Sequence, residues 1–384
     1  MTGAVITEEQ LDAVRRRLAG LGRAHTPADV ASAMRDLGLV VSDSGVREAL
    51  AGLRLNSVGA GPLDDLLRLP GVSDVLVNGP DDVFVDRGEG LIRTAVRFID
   101  DEQVRRLAVR LAASTGRRLD DSQPFADGRL ADGTRLHAVL APVAEPGTCL
   151  SLRVPARRSF ALADLVAAGA VPEAGAGLLR GIVSRRIPFL VSGGTGTGKT
   201  TLLAAMLALV PHRERIVLVE DARELIPDHP HCVRLEGRPP NAEGAGRIEL
   251  ATLVRQALRM RPDRVVLGEV RGAEIVDLLT ALNTGHEGGC GTVHANSAAD
   301  VPARLEALAA LGGLGREACH AQVAAALKVV VHLARDASGR RRVDEIGVLR
   351  RDGDGFVRVR PAASLRDGVS YLEGGDELRR LVGS

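Results

Sequence analysis

Ile187-Pro-Phe-Leu-Val-Ser-Gly-Gly-Thr-Gly-Thr-Gly-Lys-Thr-Thr-Leu-Leu203 is the stretch on which the reading of this chain turns. A short apolar run leads into a match to G-x-x-x-x-G-K-[ST] from Gly193 to Thr200, and the residues from Thr200 to Leu209 read as a helix. Strand, glycine-rich turn and helix in that order make a phosphate-binding loop. The glycines let backbone N–H groups turn inward on phosphate oxygens, and the helix adds its positive N-terminus. Of 50 basic residues only two are lysine, and one of these is Lys199. Ammonium is a compact point charge that fits between two phosphates, whereas guanidinium is a wide planar fork. Gly193, Gly194, Thr195, Gly196, Thr197, Gly198, Lys199, Thr200 and Thr201 are therefore the expected nucleotide-binding residues. Lys199 is expected between the β- and γ-phosphates of ATP, and Thr200 on Mg²⁺.

Downstream the same grammar repeats. Ile216-Val-Leu-Val-Glu220-Asp221 and Arg264-Val-Val-Leu-Gly-Glu269-Val-Arg271 are apolar strands that end in acid. Strands alternating with helices imply a parallel sheet with ligand groups gathered at the strand C-termini. A carboxylate there can orient an attacking water or hold the outer shell of magnesium. The polar constellation Thr284-Gly-His286-Glu-Gly-Gly-Cys290-Gly-Thr-Val-His294-Ala-Asn296 reads as an imidazole-bearing turn. Four-residue spacing of His286, Cys290 and His294 invites zinc. Gly285, Gly288, Gly289 and Gly291 oppose the helix that such spacing needs. The two histidines fit better as sensors of the γ-phosphate.

Upstream, residues 1–58 read as a helical segment. Thr7-Glu-Glu-Gln10 has the spacing of a capping box, and Thr26-Pro27 starts a second helix with Val30, Met34 and Leu37 as its stripe. Ser57 to Pro62 is a glycine-rich hinge. Residues 59–155 read as an α+β domain, with strands at 75–77, 83–85, 91–98, 134–140 and 149–154 around a helix from Asp100 to Ser114. Residues 156–384 form the α/β domain, which ends in strands at 329–333, 343–349 and 356–359. Asp352-Gly-Asp-Gly355 is the hairpin turn between the last two.

Composition narrows the function classes. Net charge is +1 and only seven residues are aromatic, which argues against direct contact with nucleic acid. Four scattered cysteines without a C-x-x-C pair read as reduced thiols. No run approaches 18 uncharged apolar residues, so a cytoplasmic protein peripheral to the inner face of the membrane is expected.

Taken together and in this order, the loop at Gly193–Thr200, the acidic box at Glu220–Glu224, Gly268-Glu269 and the histidine box at Gly285–Asn296 resemble the type II/type IV secretion ATPase superfamily. Leu258-Arg-Met-Arg-Pro-Asp263 adds to the likeness. Val77-Asn-Gly-Pro80, Asp132-Gly-Thr-Arg135 and Leu152-Arg-Val-Pro155 resemble segments of its Tad/Flp-pilus (CpaF-like) branch. The resemblance implies a RecA-like P-loop C-terminal domain and a PAS-like N-terminal domain. It further implies a homo-hexamer that hydrolyses ATP to drive pilus assembly or protein secretion against inner-membrane platform proteins. By position Glu269 would be the Walker B acid and Glu220 the water-activating acid, although which of the two is the base stays open. Arg135 and Arg153 from the N-terminal domain, and Arg259, Arg261 and Arg271 from the C-terminal one, are the arginines expected to act on phosphate. The rival readings are a conjugative DNA-transfer or RecA-type nucleic-acid-dependent ATPase, and a nucleotide switch that barely hydrolyses.

Overall fold

A computed structural model describes residues 8–18, 26–47, 49–50, 59–88, 90–155, 159–238, 240, 245–336 and 338–383. Thr7 of the expected capping box and the Ser57–Val58 start of the hinge lie outside the described residues. The chain divides into two compact units at Pro155.

In the first unit, helices α1 (Glu8–Leu18) and α2 (Pro27–Asp36) share a small apolar cluster of Val14, Leu18, Val30, Met34 and neighbours. Thr26 caps α2 by accepting from the Asp29 N–H, and the Asp29 carboxylate accepts from the Thr26 N–H in return. After the short α3 (Asp64–Leu67) come β1 (Asp74–Asn78), β2 (Val83–Asp86), β3 (Leu91–Arg93), α4 (Asp101–Ser114), β4 (Phe125–Arg129), β5 (Arg135–Val139) and β6 (Cys149–Arg153). They form a six-stranded antiparallel sheet in the order β3-β2-β1-β6-β5-β4. Alternation puts Val75, Val77, Leu150 and Leu152 on one face, where Val104, Leu107, Ala108 and Leu111 of α4 cover them. The strand expected over 91–98 stops at Arg93, and its three residues are all exposed. β4 was not expected, because Asp127-Gly-Arg129 hides its alternation and only Ala126 is buried.

The second unit begins with α5 (Leu162–Ala167) and α6 (Glu173–Ser184). There follow β7 (Phe189–Gly193), α7 (Lys199–Leu207), β8 (Ile216–Glu220), β9 (Cys232–Glu236), α8 (Leu250–Ala257), β10 (Arg264–Val270), α9 (Glu274–Asn283) and β11 (Cys290–His294). The chain closes with α10 (Val301–Leu311), α11 (Arg316–Ala326), β12 (Val329–Arg335), β13 (Arg341–Arg351), β14 (Val357–Ser364), β15 (Ser370–Tyr371) and α12 (Gly375–Val382). The nine strands run in the order β15-β14-β13-β12-β7-β11-β10-β8-β9. From β12 to β9 neighbours are parallel, and from β12 to β15 they are antiparallel. Helices cover both faces with separate aliphatic clusters, which is why β7, β8 and β10 are apolar at nearly every position. Asp352 and Gly355 close the β13–β14 hairpin as expected.

One correction concerns the histidine box. Its second half is a central strand: β11 lies between β7 and β10, with four of its five residues buried. The glycines that suggested a turn serve instead to let the backbones approach. A Cβ on Gly291 would lie 2.7 Å from the Leu267 carbonyl oxygen, and one on Gly289 would lie 2.8 Å from that of Val265.

Candidate functional site

Parallel strands place their C-terminal ends along one edge of the sheet. β7 delivers the loop 193–198 there, β8 delivers Glu220, β10 delivers Glu269 and β11 delivers His294. At the head of the loop Gly193 has φ +152°, and a Cβ on it would meet the Leu333 carbonyl oxygen at 2.5 Å. Only glycine fits between β12 and the turn. Thr197 is buried, and its hydroxyl donates to the Gly194 carbonyl at 3.0 Å. Thr200 and Thr201 lie half-buried in the first turn of α7, while Thr195 and Gly196 are exposed at the loop tip.

Lys199 is the hub. Its side chain is buried, and Nζ donates to the carbonyls of Gly193 at 3.0 Å and Gly194 at 2.8 Å. His294 Nδ1 stands 3.5 Å from Nζ, and His294 Nε2 stands 2.8 Å from Glu269 Oε1. The other carboxylate oxygen of Glu269 pairs with Arg271 Nη2 at 2.5 Å, and Arg271 Nη1 reaches Asp221 at 3.7 Å. Four residues from three different segments thus form one chain: ammonium, imidazole, carboxylate, guanidinium.

Electrostatics fixes the protonation of that chain. Burial pushes the Lys199 ammonium down while Glu269 pulls it back up, and Arg271 and Glu224 act more weakly. Burial, followed by the Lys199 charge, holds His294 below the ordinary imidazole value of 6.5. His294 is therefore neutral near pH 7. It accepts from Lys199 at Nδ1 and donates to Glu269 from Nε2, so the His294–Glu269 contact is a hydrogen bond and not a salt bridge. The hydrogen bond to Glu269 raises Arg271 further above its ordinary value.

Glu220 behaves otherwise. It is 3% exposed, and its Oε1 accepts from the N–H groups of Glu224 at 3.0 Å and Leu225 at 2.8 Å. Its Oε2 is buried without a hydrogen-bond partner. Burial raises its carboxyl above the usual range despite those two donors. Glu220 ties down the turn that carries Glu224, and Glu224 is the acid of this box whose charge acts on both Lys199 and Arg271. By sequence Glu224 only closes the acidic box and has no evident role. The available signal was its place four residues beyond a strand-end acid, in a loop and free of the sheet.

The structure also separates the two histidines. His286 precedes β11, and Gly288 next to it approaches Arg264 and Arg186, which stand where β10 and β7 begin. Along a strand of about 3.3 Å per residue, Cys290 and His294 are already about 13 Å apart. His286 thus lies at the opposite sheet edge from Lys199, with its ring on the Ala281 carbonyl at 3.2 Å, and is not brought together with His294. Arg259 and Arg261, exposed just before β10, belong to that same far edge. Cys290 is fully buried and its thiol is pushed up to about 12 by burial. Among the described residues no three His, Cys, Asp or Glu side chains gather as a metal site. Arg135 and Arg153 are register partners on β5 and β6 of the first unit. Arg153 pairs with Asp74 at 3.0 Å and is exposed; Arg135 is half-buried.

The cradle suits a polyphosphate. A loop that excludes a Cβ, a buried ammonium and a helix N-terminus converge on one edge, with a threonine hydroxyl and a strand-end carboxylate beside them. A family model described as Type II/IV secretion system protein matches residues 56–363, and the chain belongs to that family. A relative named "Putative conjugal transfer protein" from Mycobacterium tuberculosis is 60% identical over 315 residues, which is 80% of this chain and 90% of the relative. The conjugal transfer protein TrbB of Rhizobium radiobacter is 30% identical over 275 residues, 70% of this chain and 81% of that one. The Legionella pneumophila ATPase DotB shares the fold, with a TM-score of 0.53 at 20% identity over 74% of this chain and 78% of its own. Among the described residues no helix is long and apolar enough to cross a membrane.

Proposed function

We infer that the chain is an ATP-hydrolysing motor of the Tad/Flp-pilus branch, working as a homo-hexamer on the cytoplasmic face of the inner membrane. Its cargo is a pilus or a secreted protein, and its partners are inner-membrane platform proteins. A helical segment (1–58), an α+β domain (59–155) and a RecA-like ATPase domain (156–384) are its working parts. The observation that carries this reading is the Lys199–His294–Glu269–Arg271 chain, because a carboxylate and a neutral imidazole held between two cations beside one phosphate site suit hydrolysis better than a nucleotide switch.

In this reading the loop amides and Lys199 bind the β- and γ-phosphates, and Thr200 and Glu269 hold Mg²⁺. The bound ion supplies charge neutralisation on the phosphates. Glu269 also holds His294 in the tautomer that faces Lys199, so a change at the γ-phosphate is transmitted along β11. Glu224 rather than Glu220 is the group placed to orient the attacking water, since Glu220 is committed to the backbone of the 224–225 turn. Arg135 and Arg153 would reach a nucleotide from the α+β domain. Steady-state ATP turnover tests the assignment. Lys199→Ala loses ATP binding, and Glu269→Gln binds ATP but turns it over about 10²–10⁴-fold more slowly. Normal turnover by the Gln variant would remove Glu269 from the mechanism.

The relatives named as conjugal transfer proteins favour a second reading, a DNA-transfer ATPase. ATPase activity stimulated by DNA, with a steep fall between low and physiological salt, would select it. Salt-insensitive turnover unaffected by DNA would select the pilus or secretion motor.

A further inference from the structure

The last parallel strand grips the phosphate loop at several consecutive points. β12 pairs with β7 so that His332 stands opposite Ser192 and Leu333 opposite Gly193. His332 Nδ1 lies 2.9 Å from the Ser192 hydroxyl, the last side chain before the loop, and both residues are buried. Leu333 supplies the carbonyl oxygen against which Gly193 is packed. Two residues on, Arg335 Nη2 donates to the Gly196 carbonyl at 3.0 Å.

That last bond has a geometric consequence. In a trans peptide the carbonyl oxygen and the following N–H point in opposite directions. Holding the Gly196 oxygen from outside therefore turns the Thr197 N–H toward the inside of the loop, where phosphate oxygens bind. Arg335 is selective in this. Arg340 and Arg342 of the same hairpin pair with Asp336 and Asp344, whereas Arg335, among the described residues, has no carboxylate partner and bonds the loop.

We propose that His332 and Arg335 are positioning residues of the nucleotide site: Arg335 sets the orientation of the 196–197 peptide, and His332 ties Ser192, at the mouth of the loop, to β12. The proposal rests on the ATP-binding reading above and adds residues that carry none of its chemistry. Each acts through the loop and touches no reacting atom. Losing one such contact weakens a set of charge-assisted amide–phosphate bonds without removing them, so the effect falls on nucleotide affinity.

The test uses the full chain and measures ATP binding, KM and kcat together. Arg335→Ala, at an exposed position where folding is safe, raises the Kd and KM for ATP about tenfold and leaves kcat within about threefold. His332→Leu, which keeps the volume and removes the bond to Ser192, does the same, whereas His332→Gln, which can both donate and accept, stays near wild type. A nucleotide-dependent rise in melting temperature that shrinks in Arg335→Ala while the nucleotide-free melting temperature holds also supports the assignment. Wild-type Kd and KM in Arg335→Ala would overturn it, even if His332→Leu failed to fold. Wild-type protein that binds no ATP would sink the underlying reading and this proposal with it, an outcome distinct from a variant that matches a competent parent.

Discussion

Glu214 and Glu220 flank one buried strand, β8, and their carboxyls are treated in opposite ways. At the N-terminal end Glu214 is met by Arg264 Nε at 2.8 Å and Arg186 Nη2 at 3.0 Å, and Arg264 Nη2 in turn donates to the Val183 carbonyl at 2.9 Å. Burial pushes the Glu214 carboxyl up, but the hydrogen bonds from the two arginines outweigh it and hold the group below the usual carboxylate range. At the C-terminal end Glu220 meets two backbone N–H groups on one oxygen and nothing on the other, and its carboxyl is raised. The sheet edge that holds a satisfied pair is structural. The edge that leaves a buried oxygen unpartnered, beside Lys199, His294 and Glu269, is where the protein keeps charge free to respond. Buried carboxylates are thus sorted by what remains unbonded, and not by depth alone.

Substitutions at the Lys199 edge should have the largest effects. Glu224→Gln should lower ATP turnover about 10²–10⁴-fold with affinity retained, and Glu220→Gln should lower it much less. The reverse ranking in steady-state assays would return the water-activating role to Glu220. At the structural edge, Glu214→Ala leaves Arg264, which is 1% exposed, buried and unpaired. Urea unfolding should register a loss of about 3–5 kcal/mol, while turnover per folded molecule stays unchanged. Gly291→Ala should cost about 1–3 kcal/mol, because its Cβ overlaps the Leu267 carbonyl, and should also raise the KM for ATP by displacing His294.

Acid titration sharpens the contrast because the two signs differ. Glu214 is depressed, so its stabilisation is present above the ordinary value of 4.5 and is lost as pH falls through its lower folded value. Glu220 is raised, so it costs stability above its folded value, and that cost disappears as pH falls toward 4.5. Glu220→Gln should therefore be more stable than wild type at pH 7, with the difference closing on acidification, as melting curves across pH would record. The smallest effect expected is kinetic. His294 titrates below 6.5, so the acid limb of kcat/KM should lie below that value and should vanish in His294→Gln.

Much of this architecture was legible in the sequence because it rests on local rules. The loop at 193–200 is set by glycines and one lysine, and the apolar runs at 216–219 and 265–267 could only be strands buried on both faces. What could not be read depends on partners distant along the chain. Cys290–His294 looked like a turn because its glycines answer to Val265 and Leu267, and only the sheet order reveals that. His286 and His294 looked equivalent until a strand was laid between them. Glu220 is the acid the pattern points to, yet its carboxylate is spoken for by amides four and five residues later, a local bond that leaves no mark in composition. The β4 and β9 edge strands carry only a weak apolar signature, Ala126 in one and Val233 with Leu235 in the other, because edge strands do not need a continuous one.

The thinness of β11 has a practical side. Since Gly289 and Gly291 pack against the Val265 and Leu267 carbonyls, the backbone that carries His294 lies as close to β10 as main-chain thickness allows. A graded series of small side chains at position 291 would work as a set of shims, spacing β11 from β10 in small steps and carrying the His294 backbone with it.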